Sequence, residues 1–302
     1  MAKYNRATMP EINVTFADIP MSSPFIANES SPEAIRRAIS AGAHAVLLPP
    51  LTDRWLAAPQ EPDEILPNND GGIARDSAEW LLREMNAENY LDLVEELASG
   101  STVPVFAGLS FSNRKHWVRY ARRVTQAGAT GVELRVMDHG QHLRSDQIEK
   151  RAIRIVAQVV DSLDEPVIVR IKSSVTGLAA FTQALCDAGA KAIIIESPRI
   201  TEFSDSGLSH TYSSPLVPIE AVRRVYRRIS AHLAVDLGTA DSDTVRAAIL
   251  AGATAVVYSP VENSEQLRND LLRWMKSRKH TSIFDFRGSL SESKLATSII
   301  SG

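Results

Sequence analysis

This sequence predicts an α/β fold, a single-domain (β/α)8 barrel of the TIM class, and three observations predict it. The chain has 302 residues, and such barrels run to about 250 residues or more. The phrase Ala-Gly-Ala recurs at 41–43, 127–129, 188–190 and 251–253, each time closing a helical pattern and opening a strand. Eight short apolar runs alternate with eight segments of helical periodicity along the chain, which argues for a parallel sheet covered on its outer face and closed on itself.

In order, the first strand is read at 24–27 and the first helix at 32–40, followed by the first Ala-Gly-Ala and a second strand at 45–48. A long Pro-, Asn-, Asp- and Gly-rich stretch, 52–80, then departs from the repeat. It reads equally as a binding loop at the catalytic face or as a surface insertion. Helix 87–98 leads to strand 103–109, helix 114–126 to strand 131–136, and helix 145–163 to strand 167–171. Helix 178–187 precedes strand 192–195, helix 219–229 precedes strand 233–237, helix 241–250 precedes strand 255–258, and helix 262–275 closes the series. At each Ala-Gly-Ala, the glycine accepts the left-handed conformation that ends a helix. The open doubly wound sheet is the alternative architecture, but no Gly-x-Gly-x-x-Gly follows the first strand. The domain plan is an extension at 1–11, a barrel over 12–288 with a short docking element at 282–288, and a weakly ordered tail at 289–302.

Composition narrows the function classes. With 44% hydrophobic and 23% charged residues and a net charge of −3, the chain reads as a globular protein with no nucleic-acid partner. The densest basic cluster, Arg223, Arg224, Arg227 and Arg228, reads as one solvated helix face. Residues 1–15 contain no signal-peptide core, and no run approaches the roughly 20 apolar residues needed to span a bilayer. The single Cys186 reads as a buried helix residue in a reducing compartment, so the expected location is cytoplasmic.

Functional residues of such a barrel gather at the C-terminal strand ends. Alternation puts Glu133 and Arg135 on one face of the fourth strand and Arg170 and Lys172 on one face of the fifth, leaving the apolar face to the helices. Four charges therefore enter the barrel, either as structural ion pairs or as an anion-binding site. The loop after the seventh strand, with Gly238, Thr239, Asp241 and Ser242, and the Ser259-Pro260 pair after the eighth, stand where barrels bind phosphate. Beyond the fourth strand, Asp138, His139 and His142 offer acid–base groups or, less specifically, metal ligands; solvated loop histidines are the plainer reading. Trp55 and Trp80 flank the long loop and read as core or lid packing.

The run Ile249-Leu-Ala-Gly-Ala-Thr-Ala-Val-Val257, Trp274 and Ser282-Ile-Phe-Asp-Phe-Arg-Gly288 resembles the C-terminal third of dihydroorotate dehydrogenases. Ser23-Pro-Phe-Ile-Ala27, Ala41-Gly-Ala-His-Ala-Val-Leu-Leu-Pro49, Gly128-Ala-Thr-Gly-Val-Glu-Leu134 and Pro166-Val-Ile-Val-Arg170 resemble that family's first, second, fourth and fifth strands. The resemblance implies a dihydroorotate dehydrogenase-like flavoprotein, an oxidoreductase holding FMN over the barrel mouth and acting on a small-molecule substrate. It places cofactor contacts at Ala27, Arg135, Arg170, Glu196, Ser197, Gly238, Thr239 and Ser259, and it implies a homodimer. Several positions depart from the family pattern. Arg170 replaces a lysine, Arg135 an asparagine, Gly238-Thr239 a Gly-Gly, and Ser259-Pro260 a Gly-Thr. The family's cysteine or serine base has no clear counterpart; Asp138, His139 and Ser145 are the candidates. Two other readings therefore stand beside the flavin enzyme: a barrel that has lost FMN and serves as a binding or scaffold protein, and one that binds another anionic ligand.

Overall fold

The computed structural model describes residues 9–29, 31–56, 86–138, 144–197, 200–204, 207–212, 214–259 and 264–292. Its centre is a closed ring of eight parallel strands. They are β3 (Phe25–Asn28), β4 (Val46–Leu47), β6 (Val105–Ser110), β7 (Gly131–Leu134), β8 (Val167–Lys172), β9 (Ala192–Glu196), β12 (His232–Gly238) and β13 (Ala255–Tyr258), with β13 pairing back onto β3. The chain is thus a single-domain (β/α)8 barrel.

One strand of the ring is broken. β5 (Leu51–Thr52) continues the course of β4, and both pair with β6. Between them lie Pro49 and Pro50, which have no N–H to give the ladder. Here the chain crosses so close to β6 that a Cβ on Gly108 would stand 2.7 Å from the Leu48 carbonyl oxygen and 3.1 Å from Glu133 Oε2, so only glycine fits.

Helices α1 (Pro32–Ser40), α2 (Ala87–Gly100), α3 (Arg114–Gln126), α4 (Ser145–Val160), α5 (Leu178–Asp187), α6 (Leu216–Val225), α7 (Ser242–Ala251) and α8 (Ser264–Ser277) alternate with the ring strands, and a short α9 (Ser289–Glu292) comes after them. Each Ala-Gly-Ala ends its helix in the same way. The four glycines take positive φ, at 86°, 101°, 98° and 118° for Gly42, Gly128, Gly189 and Gly252. The following alanine N–H reaches back across the helix end: Ala43 to the Ala38 carbonyl, Ala129 to Val124, Ala190 to Leu185 and Ala253 to Ala248. These are Schellman closures that satisfy carbonyls the helix leaves open.

The N-terminal end of the barrel is plugged. β1 (Val14–Phe16) and β2 (Ile19–Met21) form an antiparallel hairpin across Ala17 and Asp18, both at positive φ, the turn type that matches strand twist. Phe16 is fully buried, edge-on to Phe106 at 6.1 Å between centroids and 6.5 Å from the His232 ring. The C-terminal segment returns beside the hairpin: Glu11 bridges Ser282, and a 3-10 turn at Ile283–Asp285 buries Ile283. This is the docking element expected at 282–288. Among the described residues, no helix is long and apolar enough to cross a membrane.

Several expectations need correction. Between β9 and α6 lies an unexpected antiparallel hairpin, β10 (Ile200–Ser204) and β11 (Gly207–Tyr212). The basic cluster is not one helix face, because α6 ends at Val225 and Arg227 takes a left-handed conformation with φ 64°. Cys186 is half-buried, and burial raises its thiol pKa. Ser289–Glu292 of the tail is helical, and the Ser291 hydroxyl donates to the carbonyls of Ala251 and Arg223. Of the long loop, Thr52 ends β5 and Asp53–Leu56 is a 3-10 turn in which Trp55 packs near Tyr90. The rest of it, Trp80 included, lies outside the described residues.

Candidate functional site

Parallel register and the alternation of side chains set which residues line the barrel. Gly108 stands opposite Glu133, Lys172 opposite Glu196, and Glu196 opposite Asp236, so the inward set runs unbroken across β6, β7, β8, β9 and β12. Arg170 lies one layer below Lys172 on the same face. Val132 and Leu134, and Val169 and Ile171, take the outer face and are buried under the helices.

The four expected charges enter the barrel, and the structure gives three of them their relationships. Arg170 is the hub. Its Nε donates to Glu133 Oε1, and its Nη1 to Asp236 Oδ2 and, at 3.4 Å, to Glu196 Oε2. Arg135 Nε holds the other Glu133 oxygen at 3.2 Å. Glu133 is fully buried and Arg170 almost so, and charges so placed persist only when paired. Burial alone would raise the Glu133 pKa, but the Arg135 and Arg170 cations and their hydrogen bonds hold it below the ordinary glutamate value. Burial works against the Arg170 charge, yet Glu133, Asp236 and Glu196 together raise its pKa.

Glu196 differs. Burial raises its pKa, and Asp236 and Asp138 add to the rise against the pull of Arg170 and Arg135. The only hydrogen bond of its carboxyl among the described residues is the long one to Arg170. Asp236, by contrast, also accepts the Gly238 N–H at 2.9 Å. Around this group, Asp138 accepts from the Ser110 hydroxyl at 3.2 Å, and the buried Tyr90 hydroxyl donates to the Gly108 carbonyl at 3.1 Å. Two buried atoms here have no partner among the described residues, Arg170 Nη2 and Ser173 Oγ. Nor does any ion pair hold Lys172 among them.

The remaining sequence candidates divide. Ala27 is buried on β3 opposite Val46 and Tyr258, which puts its side chain on the outer, helix-facing side and removes it from the mouth. Ser197 follows the end of β9, next to Glu196, and Ser145 is exposed in the first turn of α4. His139 and His142 lie outside the described residues. Among the described residues, no group of three or more His, Cys, Asp and Glu is arranged to hold a metal ion. Asp236 was not singled out from the sequence, although the same alternation applied to β12 points it inward. A second cluster at this face was missed as well: Asp53 accepts from the Ser112 N–H and hydroxyl at 2.5 and 2.6 Å and meets His116 Nδ1 at 2.8 Å.

Among the described residues, the loop after β12 together with Ser259 can be tested as an FMN phosphate site, and several of their donors are already taken. Gly238 N–H goes to Asp236, Thr244 N–H at the start of α7 goes to Asp241, and the Ser242 hydroxyl goes to Asp270. The Ser259 hydroxyl donates to Glu29 at 3.3 Å, and its N–H to the Gly238 carbonyl. Thr239 is exposed. A phosphate dianion placed here would face Asp241, Asp243 and Glu29 across the helix N-terminus that should attract it. These described residues do not favour an FMN phosphate, and residues 260–263 of the second loop lie outside them.

Compared with known proteins, the chain matches no family model, and no curated protein is significantly similar to it.

Proposed function

We propose that this barrel binds a small organic acid without a phosphate group at its C-terminal mouth, through Lys172 and the terminal nitrogens of Arg135. One observation carries the reading. At the C-terminal ends of β7 and β8, Arg135 is held by a single contact and Lys172 by no ion pair among the described residues. Cations without full compensation attract an anion, and a ligand carboxylate would give Lys172 and the terminal nitrogens of Arg135 their acceptor and compensating charge. The acids around Asp241 and Glu29 support a ligand that lacks phosphate. In this reading the chain acts in a reducing, cytoplasmic setting, in keeping with its single cysteine.

A second reading, a dihydroorotate dehydrogenase-like FMN oxidoreductase, is supported by the ordered series of resembling strands and by the barrel they build. Two measurements separate the readings. A saturation-transfer NMR screen of small mono- and dicarboxylates is expected to find a binder weakened about 10- to 100-fold by Arg135→Ala, the loss of one charge-assisted contact, and abolished by Lys172→Ala. Binding undiminished in both variants, or no binder at all, overturns the first reading. Absorption between about 300 and 550 nm after incubation with FMN and desalting is expected to stay flat; retained flavin bands would establish the second reading.

A further inference from the structure

We infer that Glu196 is the group that exchanges a proton with the ligand at this mouth, and that Asp236 and Arg170 are its positioning residues. The inference deepens the organic-acid reading and rests on it for the ligand, but not for the state of the carboxyl.

The geometry is that of two carboxyls competing for one nitrogen. Glu196 and Asp236 are register partners on β9 and β12, so their side chains leave adjacent strands on one face. Both reach Arg170 Nη1, Asp236 closely and Glu196 at 3.4 Å. Asp236 has a second donor, the Gly238 N–H, whereas Glu196 Oε1 has no partner among the described residues. Arg170 cannot compensate a third full charge, because its Nε already serves Glu133.

The groups facing Glu196 are Arg170 and Lys172 from β8, Asp236 from β12, and Glu133, Arg135 and Asp138 from β7 and its loop. Two carboxylates side by side in a low-dielectric site favour a state in which one stays protonated. Glu196, the less satisfied of the two, is the one that keeps the proton. Burial and the neighbouring Asp236 and Asp138 push it the same way. Glu196 then has an O–H to donate toward the partly open mouth, next to the cations that hold the ligand acid. Acting as an acid, it breaks its O–H bond as the ligand's basic atom gains the proton. In reverse it recovers that proton as a carboxylate, and no electrons change hands.

The test uses the full chain with 13C-labelled glutamate carboxyls, titrated by NMR without ligand. One glutamate resonance is expected to titrate at a higher pH than the rest. It should disappear in Glu196→Gln and move to lower pH in Asp236→Asn, where the like charge is gone. If no carboxyl titrates above the others, or if the high-pH resonance survives Glu196→Gln, the inference is wrong. Because Glu196 makes only one long contact, its glutamine variant keeps the fold and the assignment does not depend on Asp236→Asn. A ligand-free measurement also separates the two proposals: it can fail while carboxylates bind, and it can succeed while none does.

Discussion

Two glutamates share Arg170, and their surroundings drive them in opposite directions. Glu133 is enclosed by two guanidinium groups and its pKa is lowered; Glu196 has one long contact beside Asp236 and its pKa is raised. These directions set the signs of their contributions to stability. A carboxyl with a lowered folded pKa gives stability that is present above its unfolded value, about 4.3, and is lost as pH falls. A carboxyl with a raised folded pKa gives stability present below the unfolded value and lost as pH rises through the folded one. Glu133→Gln leaves Arg135 and Arg170 buried without their anion, a loss of about 3–5 kcal/mol. For a chain of this size that lowers Tm by on the order of 10 °C. Glu196→Gln should match the wild type in acid and gain on it as pH rises from about 4, since glutamine has no proton to lose. Scanning calorimetry across that range checks both variants, and a fall in Tm for Glu196→Gln near neutral pH would contradict the assignment.

At the scale of elements, the helix endings were legible in the sequence because their cause is local. A glycine between alanines at the end of a 3.6-residue periodicity determines its own closure, and the four occurrences share one geometry. The packing around each closure is not local. A Cβ added at Gly42 meets nothing within 4 Å, whereas at Gly252 it would stand 2.3 Å from the Tyr226 ring. Gly42→Ala should therefore cost only the left-handed penalty, about 1–2 kcal/mol. Gly252→Ala should cost more and recover part of the loss when combined with Tyr226→Ala, with a coupling of about 0.5–3 kcal/mol in a denaturation double-mutant cycle. Additive losses would mean that the ring yields without cost. The split of β4 from β5 and the hairpin β10–β11 were not legible for a related reason. A two-residue strand is defined by its partner in β6, not by its own pattern, and the hairpin comes after β9 without an apolar alternation to announce it.

At the scale of the whole molecule, alternation along β7 and β8 was enough to send Glu133, Arg135, Arg170 and Lys172 into the barrel, but not to say what each would meet. Arg170 and Asp236 are 66 positions apart, and they meet because β8 and β12 flank β9 and closure curves the three strands around one interior. Closure also separates the molecule's two ends. The hairpin β1–β2 seals the N-terminal end with Phe16, while the ion cluster around Arg170 stands at the other, so the apolar plug and the proposed ligand site lie on different layers of one barrel. Phe16→Ala should lose about 3–5 kcal/mol through the cavity left between Phe106 and His232. Substitutions this far apart and without shared partners add independently, so in the same variant the pH at which the Glu196 carboxyl titrates should not move. A denaturant midpoint that falls while the carboxyl resonance stays in place would show that the plug holds the barrel closed without setting its chemistry. A shift of that resonance together with the midpoint would show that the N-terminal plug controls the geometry of the mouth through the strands.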